Sequence, residues 1–524
     1  MSGPALARWI KVLDQTRCIG CHACTTACKS ENDVPLGVTR TYVKYVDEGI
    51  FPHARRSYQV TRCNQCEDAP CVAACPTAAM YQRADGIVDF DKRRCVGCKA
   101  CIAACPYDAI FINPEDQSAE KCNFCAHRLD VGLEPACVVV CPTEAIIVGD
   151  LADPTSKAAA LVARQPVAVR RPEKKTHPKV FYRGATQATL DPLAAIRPSG
   201  SIYMWSEQGS GPGHVASGYP ADGPTGNGNA GHGPNSASPA VLAYDVPHRA
   251  PWDWRVSLYT WTKGIAAGVY LVALLLVAAG RLQWESDLVR FAVPAIGLGF
   301  LAVTGVLLIA DLEHPERFYF IFTKPQWRSW LVRGGFIIGA YALALAVQAV
   351  AGIAEAEGVM QATAVAGVPL AVMAAVYTAY LFAQSRARDL WQSPLLPPHM
   401  AVQAALAGAA ALSLVAPAVE SDARAPLAFA LALAAGAHLL MVWSEVSLRH
   451  PTAHAHLAGW EMTSGRFRRF FRGGLGLVAV GAALAASAAA WEPGLGAAAA
   501  VAGLAGLLAH EHAYVQAAQA VPLA

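Results

Sequence analysis

The sequence predicts a two-part fold: a small α+β domain folded around cysteines, then an all-α domain of eight membrane-spanning helices. Three observations carry this. All 16 cysteines of the 524-residue chain lie between Cys18 and Cys141. The apolar residues, 54% of the total, gather after about residue 255 in runs long enough to cross a bilayer. A stretch of Gly, Ser, Pro, Asn and His, roughly Pro198 to Pro239, separates the halves.

The cysteines form four sets. Cys18, Cys21, Cys24 and Cys28 read C-x2-C-x2-C-x3-C, and Cys95, Cys98, Cys101 and Cys105 repeat it. Cys63, Cys66, Cys71 and Cys75 read C-x2-C-x4-C-x3-C. Cys122, Cys125, Cys137 and Cys141 read C-x2-C-x11-C-x3-C. Pro76, Pro106 and Pro142 follow the last cysteine of three sets. This is bacterial ferredoxin spacing, in which three close cysteines hold one cluster and the fourth ligates another. Four complete sets predict four [4Fe-4S] clusters in a ferredoxin-like domain, hence an electron wire. Two-residue gaps let the chain wrap a cubane while N–H groups point at sulfur. Disulfides would leave the regular triplets unexplained, and structural zinc does not use a third cysteine two residues on followed by Cys-Pro.

The cluster domain is expected over 1–155, with an extended segment over 156–197. That segment carries Arg170, Arg171, Lys174 and Lys175 and either wraps the domain, touches a partner or is simply a solvated basic segment. The stretch 198–250 reads as a flexible Gly/Ser/Pro linker, because such composition buries little apolar area. The membrane domain then occupies 251–524.

Eight spans are expected, at about 257–280, 291–310, 334–354, 361–385, 399–419, 425–446, 473–490 and 495–516. Their Ala and Gly content suits helices packed closely in lipid. Both ends of an eight-span domain lie on the cluster-bearing side. The loops there hold eleven basic residues: Arg317, Lys324, Arg328, Arg333, Arg386, Arg388, Arg449, Arg466, Arg468, Arg469 and Arg472. The opposite loops hold three, Arg281, Arg290 and Arg424. The bias predicts a multi-pass protein of the bacterial or archaeal inner membrane, with its cysteine domain in the cytoplasm. The N-terminus shows no secretory signal or twin-arginine segment, which agrees. Alternatively, these arginines dock the soluble domain and report nothing on topology. The net charge of +3 is uninformative, and no nucleic-acid partner is expected.

The stretch around the cysteines resembles the iron–sulfur subunit of molybdopterin oxidoreductases of the polysulfide, tetrathionate and dimethyl-sulfoxide reductase type. The carrying segments are Cys18–Cys24 (CIGCHAC), Glu31–Val38 (ENDVPLGV), Cys63–Cys66 (CNQC), Lys121–Arg128 (KCNFCAHR), Gly132–Cys137 (GLEPAC) and Cys141–Ala145 (CPTEA). The resemblance implies a pairing that spacing does not give. Cys18, Cys21, Cys24 and Cys141 would hold one cluster, and Cys122, Cys125, Cys137 and Cys28 its neighbour. Cys63, Cys66, Cys71 and Cys105 would hold a third, and Cys95, Cys98, Cys101 and Cys75 the last. No cysteine is replaced, so no three-iron cluster is expected.

The membrane half resembles the NrfD-like quinone-reactive anchor of polysulfide reductases, through Trp261–Leu271 (WTKGIAAGVYL) and Ala310–Phe318 (ADLEHPERF). Those anchors usually form a separate chain; here the two subunits look fused. In several family members the cluster subunit faces the periplasm, which the loop charges oppose. Ionisable residues within spans are costly and point to function. Lys263, Asp311, His314, Arg317, His438 and Glu445 are the candidate residues for menaquinone or ubiquinone bound as substrate. Four of them have a plainer reading: Lys263 snorkels, Asp311 and Arg317 pair at the interface, and His438 bonds a neighbouring helix. His399 and the run His510-Glu511-His512 lie toward the same face.

Together these readings predict a membrane-anchor subunit that transfers electrons between a molybdopterin catalytic subunit and the quinone pool of the bilayer. No residue in the chain is expected to be catalytic beyond quinone redox chemistry. The alternative is a redox-driven module that translocates protons or ions.

Overall fold

The computed structural model describes residues 7–197, 214–215, 219–220, 239–448 and 450–524. Most of the stretch read as a flexible linker, 198–238, lies outside the described residues. The N-terminal domain is built on two sheets. In the first, β1 (Trp9–Asp14) is flanked by β4 (Ile146–Asp150), antiparallel, and by β6 (Val180–Arg183), parallel. β5 (Val167–Ala168) closes the far edge against β6. In the second, β2 (Thr41–Glu48) and β3 (Arg55–Arg62) form a hairpin whose Thr, Tyr and Val residues suit a pleated surface.

β7 (Ala240–Tyr244) lies antiparallel against β2. Residues 240–249, within the stretch read as linker, are therefore tied to the cysteine domain. Buried His248 adds to this, its Nδ1 2.5 Å from Asp108 and its Nε2 3.3 Å from Asp245. Likewise 156–197, read as an extended segment, carries the helix Lys157–Arg164 and contributes β5 and β6. The apolar residues Val180 and Tyr182 bury against the cysteine-bearing core, which explains why this segment folds inward.

The identical spacing of the first and third motifs becomes identical backbone. Gly20 and Gly97 take φ of 71° and 69°, and His22 and Lys99 both take 59°. These left-handed turns wind the chain round before α1 (Ala23–Glu31) and α3 (Ala100–Ala104) begin. α2 (Pro70–Ala74) and α4 (Ala136–Val139) open the remaining fourth-cysteine turns. Cys75 and Cys105 end their helices in extended conformation, as a following proline requires.

Among the described residues, seven helices are long and apolar enough to cross a membrane. They are α5 (Trp254–Ala278), α6 (Val293–Ala310, entered through the π-turn Leu288–Ala292), α7 (Trp330–Ile353), α8 (Glu357–Gln384), α9 (Leu396–Val419), α10 (Arg424–Ser447) and α12 (Arg468–Ala490). α11 (Ala453–Thr463) is short. A helix, α13 (Gly496–Gln519), forms where the eighth span was expected, but it is not among the seven. His510, Glu511, His512, Gln516 and Gln519 give its last turns a polar character. α5 is the most enclosed span, and Gly268 on it touches Gly408 on α9. A Cβ added at Gly268 would sit 1.8 Å from the Ala404 carbonyl oxygen, so only glycine allows this approach.

The cysteine domain sits on the membrane helices through side-chain donors aimed at its backbone carbonyls. Gln326 donates to Val72 (2.9 Å) and Cys75 (2.8 Å), Ser329 to Ala74 (2.8 Å) and Gln384 to Ala73 (3.1 Å). These carbonyls end α2, and apart from that of Val72, which also accepts from the Cys75 N–H (3.3 Å), they have no helix N–H left to accept from. Gly97 passes so close to Glu313 that a Cβ would lie 2.4 Å from its side chain.

Candidate functional site

The fold brings cysteines of different motifs together in groups. Cys18, Cys21, Cys24 and Cys141 line one small cavity, and Cys75, Cys95, Cys98 and Cys101 line another. Cys28 lies within electrostatic reach of Cys122, Cys137 and Cys125. Cys71 lies within reach of Cys63, Cys105 and Cys66. Backbone N–H groups point at the sulfurs: Ala145 at Cys141 (3.2 Å), Met80 at Cys75 (3.4 Å), and Gly97 and Ala119 at Cys95 (both 3.4 Å).

The donors fit clusters rather than free thiols. Burial pushes Cys24 up to about 11, and Cys28, Cys66 and Cys105 up to about 12. Thiolates so buried are tolerable when iron takes their charge. Cys137 behaves differently. Burial opposes its thiolate too, but Lys11 and Arg62 outweigh burial and bring it down to about 7. Arg62, 1% exposed, donates from Nη1 to Cys137 Sγ at 3.2 Å, and Lys11 Nζ stands 3.8 Å from the same sulfur. Arg62 Nε and Nη2 have no protein partner. Buried donors of this kind call for an acceptor, which the sulfide of a cluster held here would supply.

One quartet borders the membrane domain. A cavity of about 270 Å³ is lined by Cys98 on one side and by Trp252, Tyr259, Asp311 and Tyr377 on the other. Trp252 fixes this edge by donating from Nε1 to the Cys98 carbonyl (3.1 Å). Lys99 crosses to the Asp311 carbonyl (2.8 Å) and lies 3.4 Å from its carboxylate. The remaining walls are aliphatic and aromatic, so the cavity is apolar with a few polar groups at one end.

The six candidate residues separate into three places. Asp311 lines the cavity. Lys263 is buried just behind it, donating to the Ala375 carbonyl (2.6 Å) with its ammonium 4.9 Å from the Tyr377 ring centre. His314 and Arg317 grip the cysteine domain, His314 Nε2 at the Asp116 carbonyl (2.9 Å) and Arg317 at those of Lys92 (3.1 Å) and Cys95 (3.0 Å). His438 and Glu445 lie elsewhere, with His399. Sequence reasoning passed over Trp252, Tyr259 and Tyr377 as parts of the cavity. Aromatic residues at a span's end are common, and only the docked domain above them gives them a shared wall. Arg62 directly precedes Cys63, a signal that could have been read.

Comparison with known proteins agrees with both halves. Residues 55–151 match the family described as a 4Fe-4S dicluster domain, and residues 245–522 match polysulphide reductase, NrfD. The chain is 46% identical over 194 residues to a tetrathionate reductase subunit of Salmonella typhimurium, covering 36% of this chain and 76% of that protein. It is 46% identical over 171 residues to a polysulfide reductase chain of Wolinella succinogenes, covering 32% and 90%. It is 48% identical over 147 residues to a thiosulfate reductase electron transfer subunit of Salmonella typhi, covering 28% and 77%.

Proposed function

The protein belongs to the NrfD polysulphide reductase family and carries an iron–sulfur electron-transfer domain on the same polypeptide, and on that premise we propose that it links a molybdopterin catalytic subunit to membrane quinone. The relatives are subunits of tetrathionate, polysulfide and thiosulfate reductases, which supports a catalytic partner of that class. Four [4Fe-4S] clusters, held by the four quartets, would supply the one-electron carriers.

The observation that carries the reading is the cavity shared by Cys98 and the membrane helices. A quinone ring there would lie against a cluster ligand. Asp311 and Lys99 stand at the polar end, where protons must be exchanged as the ring changes oxidation state. Lys263 behind Tyr377 biases that ring's hydroxyl electrostatically, from within the helices. His314 and Arg317 serve the same site indirectly, holding the third cysteine motif in register over the cavity.

The reading includes a cytoplasmic cluster domain. Arg317 is taken up with docking, and Arg388 is taken up within the membrane half, where it bonds the Gln519 carbonyl. Lys324, Arg328, Arg333, Arg468, Arg469 and Arg472 on that face still outnumber Arg281, Arg290 and Arg424 opposite.

Gly305 offers a clean test. It lines the cavity, and a Cβ there meets nothing within 4 Å, so a larger side chain fills space without displacing backbone. Gly305→Leu should slow cluster reduction by a soluble quinol about tenfold or more, as a loss of roughly 1.4 kcal/mol in binding does. Reduction by dithionite and iron content should be unchanged. A normal quinol rate in this variant refutes the site.

A further inference from the structure

On the other side of α5 from that cavity lies a second polar centre. Thr260 faces it, one residue on from Tyr259, which faces the first. His399 on α9, His438 on α10 and His510 on α13 meet there, each at most 1% exposed. One ring nitrogen from each can be chosen so that all three lie within 4.8 Å of one another. His399 Nε2 and His438 Nδ1 are 3.0 Å apart.

The hydrogen-bond accounting leaves these rings short. His438 Nε2, His510 Nδ1 and Glu445 Oε1 are buried without a protein partner. Leaving such groups unmet is costly. We propose that His399, His438 and His510 bind one divalent first-row metal ion, Zn2+ by chemical preference, which ties α9, α10 and α13 together.

The coordination chemistry suits the proposal. Three imidazoles with one open position are a zinc donor set. Zinc–nitrogen bonds of about 2.0–2.1 Å put tetrahedral nitrogens about 3.4 Å apart, so modest ring rotations close the set. Glu445, two turns beyond His438 on α10, places Oε2 3.3 Å from His399 Nδ1. A carboxylate on the far nitrogen of a ligating histidine fixes the tautomer and leaves Nε2 free for metal. A cavity of about 20 Å³, room for one water, adjoins His399 and His510 and is bordered by Gln403 and Glu511. Glu445 and Glu511 place two carboxyl groups beside the rings, whose ionisation on metal binding would balance a dication away from bulk water.

The test uses the full-length protein purified in detergent, loaded with Zn2+ and then washed with a chelator. Elemental analysis should find one zinc per molecule in addition to the cluster iron, and absorption at the zinc edge should show three imidazole nitrogens. His438→Gln and His510→Gln should each lose the zinc while keeping their iron and their elution volume. His456→Gln, on an exposed loop-side helix position, should keep it. Substoichiometric zinc in the unaltered protein overturns the proposal, as does zinc retained by His438→Gln. If the variants fail to fold, the stoichiometry and edge spectrum of the unaltered protein decide alone. An iron count that disagrees with four clusters bears on the electron-transfer reading and not on this one.

Discussion

Arg62 is the residue whose removal makes the sharpest prediction. Its guanidinium is 1% exposed, 3.2 Å from Cys137 Sγ, and within electrostatic reach of Cys122 and Cys24. A reduced cluster is more negative than an oxidised one, so a fixed cation beside it raises its potential. With the charge about 6 Å from the cluster centre and an effective dielectric of about 20, Coulomb's law gives about 3 kcal/mol. At about 59 mV per tenfold for one electron, that is roughly 120 mV. Arg62→Gln should therefore lower the potential of the cluster proposed on Cys28, Cys122, Cys125 and Cys137 by about that amount. A smaller fall is expected for the Cys24 cluster. Arg62→Lys keeps the charge and should stay within about a quarter of that shift. Redox titration followed by electron paramagnetic resonance reads each cluster separately. An unchanged spectrum and potential in Arg62→Gln would refute the argument that this cation acts on the cluster rather than on folding.

Two further predictions concern how the halves hold together. Burial disfavours a charged His248, but Asp245 and Asp108 outweigh it and raise the group to about 10. With an unfolded value near 6.5, its contribution is complete below about pH 6.5 and is lost as pH rises through about 10. Thermal unfolding followed by cluster absorbance should show His248→Gln destabilised by about 3 kcal/mol at low pH. The difference from the unaltered protein should vanish near pH 10, and a pH-independent difference would contradict the assignment. Gly268→Ala or Gly408→Ala should force α5 and α9 apart and cost about 1–3 kcal/mol, read as a lower midpoint in detergent unfolding. Gly339→Ala, where a Cβ meets nothing within 4 Å, is the neutral control, and equal midpoints for all three would refute the close-packing argument.

The cysteine motifs were legible because cluster chemistry ties function to spacing along the sequence. Spacing alone did not reveal which fourth cysteine crosses to which triplet. That depends on how α1, α2, α3 and α4 pack, and only the resemblance offered a pairing. The membrane helices were legible from length and apolarity, although α13 ends in His510, Glu511 and His512 and so reads less clearly than the rest. Asp311 stood out because a carboxylate beside a span is expensive. His314 and Arg317 stood out for the same reason, yet their work is docking, since their partners are carbonyls some two hundred residues earlier. The strands after 156 and at 240–244 were missed because their pairing partners, β1 and β2, are far away in sequence.

Burial gives the proposed wire a direction in space. Cys21 is exposed, and Cys18 and Cys141 are half-buried, so the first quartet sits at the surface. Exposed Ile19, Val131, Leu133 and Val139 come from the segments that carry its ligands and those of its neighbour, apolar side chains that a protein partner could cover. Cys24 is close enough to Cys137 for their charges to interact, which makes the Cys28 quartet second. Cys122 acts on Cys63 in the same way, and Cys71 on Cys101. The quartets therefore run in file from the exposed end to Cys98 and the cavity beneath it. A catalytic subunit docking on those apolar side chains would meet the first quartet, and quinone in the cavity would meet the last. On that reading the hydrogen bonds from Gln326, Ser329 and Gln384 to the end of α2 would hold the final donor against its acceptor, where a small displacement would open the circuit.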